Sequence, residues 1–448
     1  MTKQLTISER LDFLMNRVGE LEKEVDYLRD RLAKYETPKN SSNSNKPPSS
    51  DFPKLQKTKS LREASGKKPG GQPGHKGTTL KMTCSPDIFT DHIANYCACC
   101  GEDLFGYQAM FIGRRQVIDI PPICPVITEH RIYEKQCKCG YKNRALFPPD
   151  VVSPVSYGPG VQSLVAYLST RQYIPVERTT ELLSNLFGLS LSTGGVCYLL
   201  EKTKQKALPM YEHIRELILN GRVTGGDETG VNINGKNQWA WVFQNIRATF
   251  IAIHKSRGSK AINEIMPEGF RDKVLVTDCW SAYFKEGEIL HQLCTAHLLR
   301  ELNYFGEKYP ANTWVDRMSG LIRNALDMRK ENRLAPQKSE EIKRTFLTLI
   351  QEPINKDFKD LITFQKRMVK YSGHAFMFLD DPEIPPDNNA SERAIRNFKV
   401  KQKVSGFFKS NNGAEIYAVL RSIIDTSIKN GQNPFEAMRL MTLSIHTE

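Results

Sequence analysis

Three acidic residues stand where their carboxylates are able to bind metal ions. Asp227 lies in the predicted strand 223–231, Asp278 ends the apolar run 273–278, and Glu392 falls early in a predicted helix. Two carboxylates that lie close together cannot both stay ionised unless a cation neutralises them. The residue types therefore predict a site for divalent metal ions, whose chemistry is the activation of phosphodiesters and water.

The segments around these residues predict the sheet that brings them together. The order strand-strand-strand-helix-strand, with an aspartate on the first and fourth strands, fits a ribonuclease-H-like α/β core. The interval between Asp278 and Glu392 is long and helix-patterned, so we expect a helical insertion at about residues 305–380. The predicted strands are 223–231, 238–244, 248–254 and 273–278, with Asn234-Gly235 as a hairpin turn.

A run of basic residues follows Glu392 and contains no acidic residue. Nucleic-acid phosphates are natural partners for such a run, because each neutralised phosphate releases counterions. The run consists of Arg393, Arg396, Lys399, Lys401 and Lys403.

Two cysteine clusters, each followed by glycine, predict a structural zinc site. They occur in the sequences CACCG (97–101) and CKCG (137–140). A glycine after the last cysteine permits the tight turn that directs two thiolates at one ion. Scattered buried thiols are the alternative, since the second pair has the short spacing C-x-C. The predicted Zn²⁺ ligands are Cys97, Cys100, Cys137 and Cys139, with Cys99 as a competing choice.

The sequence HQLCTAH offers three further metal ligands on one short stretch, His291, Cys294 and His297. We favour a core position for Cys294, at the junction of a fifth strand and a helix, because cysteine is among the most often buried residues. We expect His297 near the acidic site, since helices of this topology begin there.

The first 36 residues carry an unbroken heptad repeat. Its apolar residues alternate at spacings of four and three, and valine in one core position with leucine in the other favours a parallel two-stranded coiled coil. A single amphipathic helix packed on its own domain is the alternative. The repeat consists of Ile7, Leu11, Leu14, Val18, Leu21, Val25, Leu28 and Leu32.

Two further segments separate this repeat from the predicted sheet. Residues 37–82 hold ten basic and two acidic residues and too little apolar surface to fold alone, so we expect a basic flexible linker. Residues 157–219 are helix-patterned, with a stop at Gly188 and candidate N-caps at Ser190, Ser192 and Thr193. A helix-turn-helix and an ordinary helical hairpin fit this second segment equally well.

Composition narrows the class of protein. The chain has 448 residues, of which 40% are hydrophobic, so it is long enough for several domains with cores. Its net charge of +13 suggests a polyanionic partner, nucleic acid before membrane. We expect no signal peptide and no membrane span, because no apolar run reaches spanning length. Ten cysteines in so long a chain indicate metal ligands or free thiols in a reducing cytoplasm.

Several motifs occur in a specific order along nearly the whole chain. They are KKPGGQPGHKG from Lys67, the two cysteine clusters, YGPGVQSLVAYL, GGDETGV, VLVTDCWSAY, CTAHLLREL and PDNNASERAIRNFKV. Each short piece is a weak signal, but the ordered set resembles the DDE transposases of the insertion-sequence 66 (IS66) family.

The resemblance implies a multidomain α+β protein. Its parts would be a coiled coil (1–36), a basic flexible linker (37–82), a zinc-binding domain (83–150), a helical DNA-binding region (151–220) and a ribonuclease-H-like catalytic domain with a helical insertion (221–448).

The resemblance also implies catalysis by Asp227, Asp278 and Glu392 with two Mg²⁺ or Mn²⁺ ions. One ion would activate water to cut the DNA strand, and the freed 3′-OH would then join target DNA. The residues implied to line the site are His297, Asn388, Asn389, Arg393 and Arg396. DNA contacts are expected at Lys67, Lys68, His75, Lys76, Arg393, Arg396, Lys399 and Lys403.

The expected partners follow from this activity. They are the terminal inverted repeats of a bacterial insertion sequence, target DNA, a second copy paired through the coiled coil, and accessory proteins of the same element. The setting would be the bacterial cytoplasm, in association with the nucleoid.

Three other functions fit parts of the sequence. A zinc-containing DNA-binding regulator would need no catalysis, and a ribonuclease-H-like nuclease would cut DNA without joining it. An inactive transposase remnant is the third alternative. The presence of all three acidic residues argues against the regulator and the remnant, while the zipper and the zinc region argue against the simple nuclease.

Overall fold

The computed structural model describes residues 14–25, 28, 39, 43–44, 74, 76, 80–148, 150–285, 290–331 and 335–443. The chain forms two compact units, one of residues 1–58 with 127–448 and one of residues 59–126. The predicted class of a mixed α/β protein with several parts is confirmed in this broad sense.

The smaller unit is held by turns rather than by a core. None of its residues 80–126 is buried, and this stretch contains no helix or strand beyond a single bridge between Tyr96 and Asp103. The Gln116 side chain pairs with the backbone of Thr83, accepting a hydrogen bond from its N–H and donating one to its carbonyl, both at 2.8 Å.

The larger unit begins, after its N-terminal residues, with a short hairpin and three helices. Strands β1 and β2 pair in antiparallel fashion and are exposed. Gly188 ends the second helix with a left-handed φ of 63°, and the Ser192 hydroxyl caps the third by accepting the Gly195 N–H at 3.0 Å. The elements are β1 (Glu134–Gln136), β2 (Lys142–Arg144), α1 (Pro159–Thr170), α2 (Val176–Phe187) and α3 (Thr193–Leu219).

A five-stranded mixed sheet follows, in the strand order β5-β4-β3-β6-β7. Strands β3, β4 and β5 are antiparallel neighbours, whereas β6 and β7 run parallel to β3. The predicted hairpin turn is confirmed, because Asn234 and Gly235 both have positive φ values. The elements are β3 (Val223–Ile233), β4 (Lys236–Gln244), β5 (Thr249–His254), α4 (Ser259–Ile265), β6 (Val274–Thr277) and β7 (Leu290–Leu293).

Four helices with their own apolar core follow β7. Trp314, Phe346, Phe364 and Phe376 are buried in this core, and the Trp314 indole N–H donates to the Leu349 carbonyl at 2.8 Å. The helices are α5 (Thr295–Lys308), α6 (Thr313–Lys330), α7 (Pro336–Leu349) and α8 (Lys359–Lys370).

Two of the last three helices pack on the sheet. Helix α9 packs on β3 and β4, and α10 packs on β5 and α3. Phe398, Phe408 and Tyr417 fill the space between these helices and the sheet. The helices are α9 (Asn389–Ser405), α10 (Asn411–Lys429) and α11 (Pro434–Thr442).

Two buried cations tie these helices to the C-terminal end of α1 and to the segment that follows it. The Lys401 ammonium donates to the carbonyls of Ser169 at 3.1 Å and Ile174 at 3.4 Å. The Arg421 guanidinium, 2% exposed, donates to the Thr170 carbonyl at 3.4 Å. The helical region and the sheet are therefore joined by polar contacts inside the protein.

Across the part of the chain that the structure describes, no helix has the length and apolar character needed to cross a membrane.

Candidate active site

Two of the predicted carboxylates lie at the same edge of the sheet. Strands β3 and β6 run parallel, with Gly225 opposite Val276. Asp227 and Asp278 each lie two residues beyond these partners, so continuation of the register places them level with each other.

The third carboxylate comes from the first turn of α9. Arg300 of α5 binds Glu392 with a two-pronged contact, Nη1 to Oε1 and Nη2 to Oε2, both at 3.2 Å. His297, one turn earlier on α5, places its Nε2 3.6 Å from Glu392 Oε1. The Glu392 side chain is only 15% exposed, so the Arg300 guanidinium and the His297 ring replace much of the water that would otherwise solvate it.

The charges of the acidic side chains act on one another. Burial raises the pKa of Asp227 well above its ordinary value, and the charges of Glu228, Asp278 and Glu392 raise it further. Burial and Glu228 also raise the pKa of Asp278, against the opposing effect of the Trp280 N–H. The predicted Asp227 thus lies within electrostatic range of both Asp278 and Glu392, although in the described part of the chain no group of three ligand atoms within 4.8 Å of one another contains either aspartate.

A glycine on β3 allows α9 to approach the sheet this closely. A Cβ atom on Gly225 would lie 2.5 Å from Gln244 Nε2 and 2.7 Å from both Asn388 Oδ1 and Ser391 Oγ. Asn388 is buried, and its side-chain amide donates to the carbonyl of Gly226 at 2.7 Å. The polar residues at the start of α9 therefore fasten the helix of Glu392 to the strand of Asp227.

Comparison with known protein families identifies the chain. Residues 154–416, more than half of its length, match the Transposase IS66 family. The chain belongs to this family. Residues 3–81 match a family of unknown function, DUF6444. No curated protein matches the chain.

Membership of the IS66 transposase family means that the chain acts on DNA in transposition. The matched range runs from before α1 into α10 and includes Asp227, Asp278 and Glu392. It includes the Arg300 and His297 contacts to Glu392 as well, whereas the cysteine clusters fall outside it.

One group of metal-ligand type side chains overlaps this site. The ligand atoms of Cys294, His297 and Glu392 lie within 4.8 Å of one another, and no other such group is found among the described residues. Cys294 is 1% exposed and its sulfur accepts the Asn388 N–H at 3.2 Å, which confirms the predicted core position. His291 is not in this group, because its ring stacks on Phe284 at 4.2 Å.

Four site residues escaped the sequence analysis. Glu228 directly follows Asp227 in the sequence. Arg257 and Tyr283 bind its carboxylate. Arg300 follows His297 by three residues, the spacing of neighbours on one helix face, and this spacing was a readable signal. The contacts of Arg257 and Tyr283 had no signal in sequence, because they join separate elements.

The basic run on α9 divides into two faces. Arg393, Arg396 and Lys403 are exposed. Lys399 instead donates to the carbonyl of Gly230 at 2.7 Å, and burial lowers its pKa. Lys401 is buried against the α1–α2 segment, with its pKa lowered by burial to about 8. We therefore leave Lys399 and Lys401 out of the DNA-facing surface.

The other predicted DNA contacts lie near the N-terminus. Lys67, Lys68 and His75 fall outside the described residues, whereas Lys76 is described and exposed. Asn389, also predicted to line the site, begins α9 and donates its N–H to Asp387 Oδ1 at 3.0 Å.

The first cysteine cluster forms a tight turn within the smaller unit. Gly101 has a φ of 76°, and its N–H donates to the Cys97 carbonyl at 2.9 Å. The backbone N–H groups of Cys100 and Cys99 point at the Cys97 sulfur and lower the pKa of its thiol.

The second cysteine cluster repeats this turn within the larger unit. Gly140 has a φ of 88°, and its N–H donates to the Cys137 carbonyl at 2.8 Å. The Cys139 N–H lowers the pKa of the Cys137 thiol. Each turn thus favours a thiolate, the form of cysteine that binds metals.

Proposed function

We propose that the chain is a DDE-type transposase in which Asp227, Asp278 and Glu392 hold the metal ions that cut and join DNA. The observation that carries the proposal is that the parallel register of β3 and β6 places Asp227 level with Asp278, where the charges of Asp278 and Glu392 both raise the pKa of Asp227. Divalent cations relieve such repulsion in a partly buried acidic site. Membership of the IS66 family supports the same reaction.

We propose that the core has the ribonuclease-H-like fold. Support comes from the strand order, with three antiparallel strands followed by two strands parallel to the first. Asp227 belongs to the first of these strands, Asp278 directly follows the fourth, and Glu392 belongs to a helix packed on the first.

The oxygen donors suit two Mg²⁺ or Mn²⁺ ions, which are hard cations. The Oδ1 atoms of Asp227 and Asp278 accept the backbone N–H groups of Glu228 and Trp280, both at 2.9 Å. No described residue donates to their Oδ2 atoms, so these oxygens remain available as ligands. Divalent ions bound there would polarise the phosphodiester and lower the pKa of the attacking water.

The residues around Glu392 orient it and balance its charge. The Arg300 fork fixes the orientation of the Glu392 carboxylate and brings a permanent positive charge to the edge of the site. Burial lowers the pKa of His297, so its ring is neutral near pH 7. Asn388 only positions the start of α9, since its side chain donates a hydrogen bond to the backbone of β3.

DNA would lie along the exposed face of α9. Arg393, Arg396 and Lys403 are spaced by three and seven residues, which places them on one side of the helix. We propose that they bind backbone phosphates, while helices α1–α3 contact the terminal inverted repeats and a second DNA segment serves as target.

The N-terminal heptads would pair two copies of the chain. Helical residues 14–25 and Leu28 present the exposed side chains of Leu14, Val18, Leu21, Val25 and Leu28. Joining two DNA ends requires two active sites, which a dimer supplies. Deletion of residues 1–36 should convert the dimer into a monomer by light scattering, and an unchanged mass would place the interface elsewhere.

We further propose that Cys97, Cys100, Cys137 and Cys139 bind a structural Zn²⁺ ion. The two similar turns and the lowered thiol pKa of Cys97 and Cys137 support this assignment. The bacterial nucleoid setting and the accessory proteins of the same element remain predictions.

The decisive experiment is a Mg²⁺-dependent joining assay. Purified protein is mixed with labelled duplexes carrying the ends of its own element and with a supercoiled target. We expect joined products from the wild type and a loss of about 10³-fold or more in Asp227→Asn and Glu392→Gln, since metal stabilisation is worth several kcal/mol. Glu436→Gln, an exposed change on α11, is the matched control.

Each other outcome names another function. Cleavage without joining would replace the transposase proposal with the nuclease. Binding without cleavage would favour the DNA-binding regulator or an inactive remnant. Full activity in Glu392→Gln would remove Glu392 from the catalytic set.

A further inference from the structure

One arginine beside the acidic site lies against two indole rings. The Arg257 guanidinium carbon lies 4.2 Å from the ring centre of Trp280 and 4.8 Å from that of Trp239. These are cation–π distances, and two indole rings together fix the plane of the guanidinium. The residue belongs to the loop between β5 and α4.

One edge of this guanidinium is anchored to a buried carboxylate. Arg257 Nε donates to Glu228 Oε1 at 2.9 Å, and the Tyr283 hydroxyl donates to Glu228 Oε2 at 2.7 Å. The Glu228 side chain is 2% exposed, whereas the Arg257 side chain is 40% exposed. The anchored edge thus lies inside the protein, and much of the rest of the side chain faces solvent.

The two terminal amines of Arg257 have no partner among the described residues. No hydrogen bond joins Nη1 or Nη2 to any residue of that part of the chain, since the bond to Glu228 comes from Nε. A guanidinium offers its donors in a fixed fork that matches two oxygens of a phosphate. A lysine would neutralise Glu228 equally well, so charge balance alone does not account for this arrangement.

The fork is connected directly to the catalytic edge of the sheet. The backbone N–H of Trp280 donates to Asp278 Oδ1 at 2.9 Å, and its indole N–H donates to the Arg257 carbonyl at 3.4 Å. Exposed Lys255 and Lys260 lie in the sequence on either side of Arg257. A polyanion bound near Asp278 would therefore lie beside a cationic loop whose arginine is already oriented.

We propose that Arg257 is a phosphate-binding residue that binds one backbone phosphodiester of the DNA strand lying in the acidic site. Nη1 and Nη2 bind two non-bridging oxygens of that phosphate. Glu228, Trp239 and Trp280 are positioning residues that hold the fork ready. This inference rests on the proposed function, because it takes DNA as the occupant of the site.

The test neutralises one phosphate at a time. Duplexes carrying the element end, each with a single methylphosphonate near the cleavage position, are bound to the full-length wild type and to Arg257→Ala without divalent metal. We expect one or two positions where neutralisation weakens wild-type binding about 10-fold to 100-fold. Arg257→Ala should lose the same affinity on native DNA and be insensitive at those positions.

Two variants separate this contact from a structural effect. Arg257→Lys keeps the charge but lacks the fork, so it should keep the salt dependence and lose most of the position-specific effect. Arg257→Ala should lower the slope of log affinity against log salt by about one. The control is Arg271→Ala. Arg271 is an exposed arginine before the start of β6 and thus at the opposite end of that strand from Asp278. This variant should show the same loss of affinity as the wild type at the mapped methylphosphonate positions.

The source of the phosphate is read from a second set of duplexes with unrelated sequence, which represent target DNA. An effect confined to end duplexes assigns the phosphate to the strand that is cut, and an effect in both sets assigns it to any bound DNA. Identical methylphosphonate profiles in wild type and Arg257→Ala would overturn the inference. A retained Arg257 effect in protein that neither cuts nor joins DNA would overturn the catalytic proposal and leave this site standing.

Discussion

The sheet and the cysteine segment, residues 80–148, position ligand-type side chains by different means. In the sheet, Asp227 and Asp278 extend from strands packed between buried residues such as Trp241 and Phe243. In the cysteine segment, no residue is buried, and local turns alone set the direction of Cys97 and Cys137. A packed core therefore orients the ligand-type side chains of the sheet, whereas backbone hydrogen bonds orient those of the cysteine segment.

This difference predicts opposite roles for metal in the two regions. A packed sheet keeps its shape without metal, so ions at the carboxylates would serve chemistry. A segment without a core has little to oppose its conformational entropy, so an ion at the thiolates would serve folding. The following predictions test that division.

The largest effect is expected from removal of zinc. Structural Zn²⁺ sites contribute roughly 10–16 kcal/mol of folding free energy. Treatment with a chelator should therefore abolish amide protection against hydrogen exchange in residues 95–104 and 134–144. Protection in β3 to β7 should persist. Equal protection of the cysteine segment before and after chelation would show that its turns stand without metal.

A smaller loss of stability is expected from Gly225→Ala, which disrupts the packing that positions Glu392. The new Cβ would meet three polar side-chain atoms at 2.5–2.7 Å, so α9 must shift away from β3. Overpacking of this kind costs about 1–3 kcal/mol, and strand joining should fall with it. Urea unfolding and the joining assay measure the two losses.

Gly230→Ala is the matched control on the same strand. Its new Cβ would meet the exposed side chain of Asn237, which is free to turn away. Both substitutions reduce backbone freedom equally, so a difference between them isolates the packing. Equal losses would mean that the close approach of α9 does not matter.

The smallest effect concerns pH. Burial and neighbouring charges raise the pKa of Asp227 and Asp278 above their ordinary value of 3.8. The folded, metal-free chain then keeps protons that the unfolded chain has already lost. Its free energy of unfolding should therefore fall as the pH rises from 3.8 toward the raised pKa values.

Urea titrations at a series of pH values measure this loss. Mg²⁺ should reduce it, because the ions stabilise the ionised carboxylates, and Asp227→Asn should flatten the dependence. A stability that rises over the same pH interval would contradict the electrostatic account of the site.

The sequence allowed the secondary structure of the sheet to be predicted closely, since apolar runs, Asn234-Gly235 and the position of Asp278 all carry local signals. It also placed Glu392 at a helix start. The sequence does not show how α9 is rotated about its axis, so it does not distinguish Lys399 from Lys403. In the structure Lys399 binds a backbone carbonyl, whereas Lys403 is exposed. The Arg257 contacts were hidden for the same reason, because tertiary packing alone brings Glu228 and Trp280 to it.

The buried bonds of Lys401 and Arg421 limit how the protein can be dissected. Their carbonyl acceptors belong to Ser169, Thr170 and Ile174, far earlier in the chain. A fragment that begins at residue 221 would keep every strand and all three carboxylates, yet it would leave two buried cations without these acceptors. Each hydrogen bond to a charged group contributes about 1.5–3 kcal/mol, a sizeable part of the stability of a typical domain. The sheet and its last helices therefore depend on α1, and a fragment made for expression should include it.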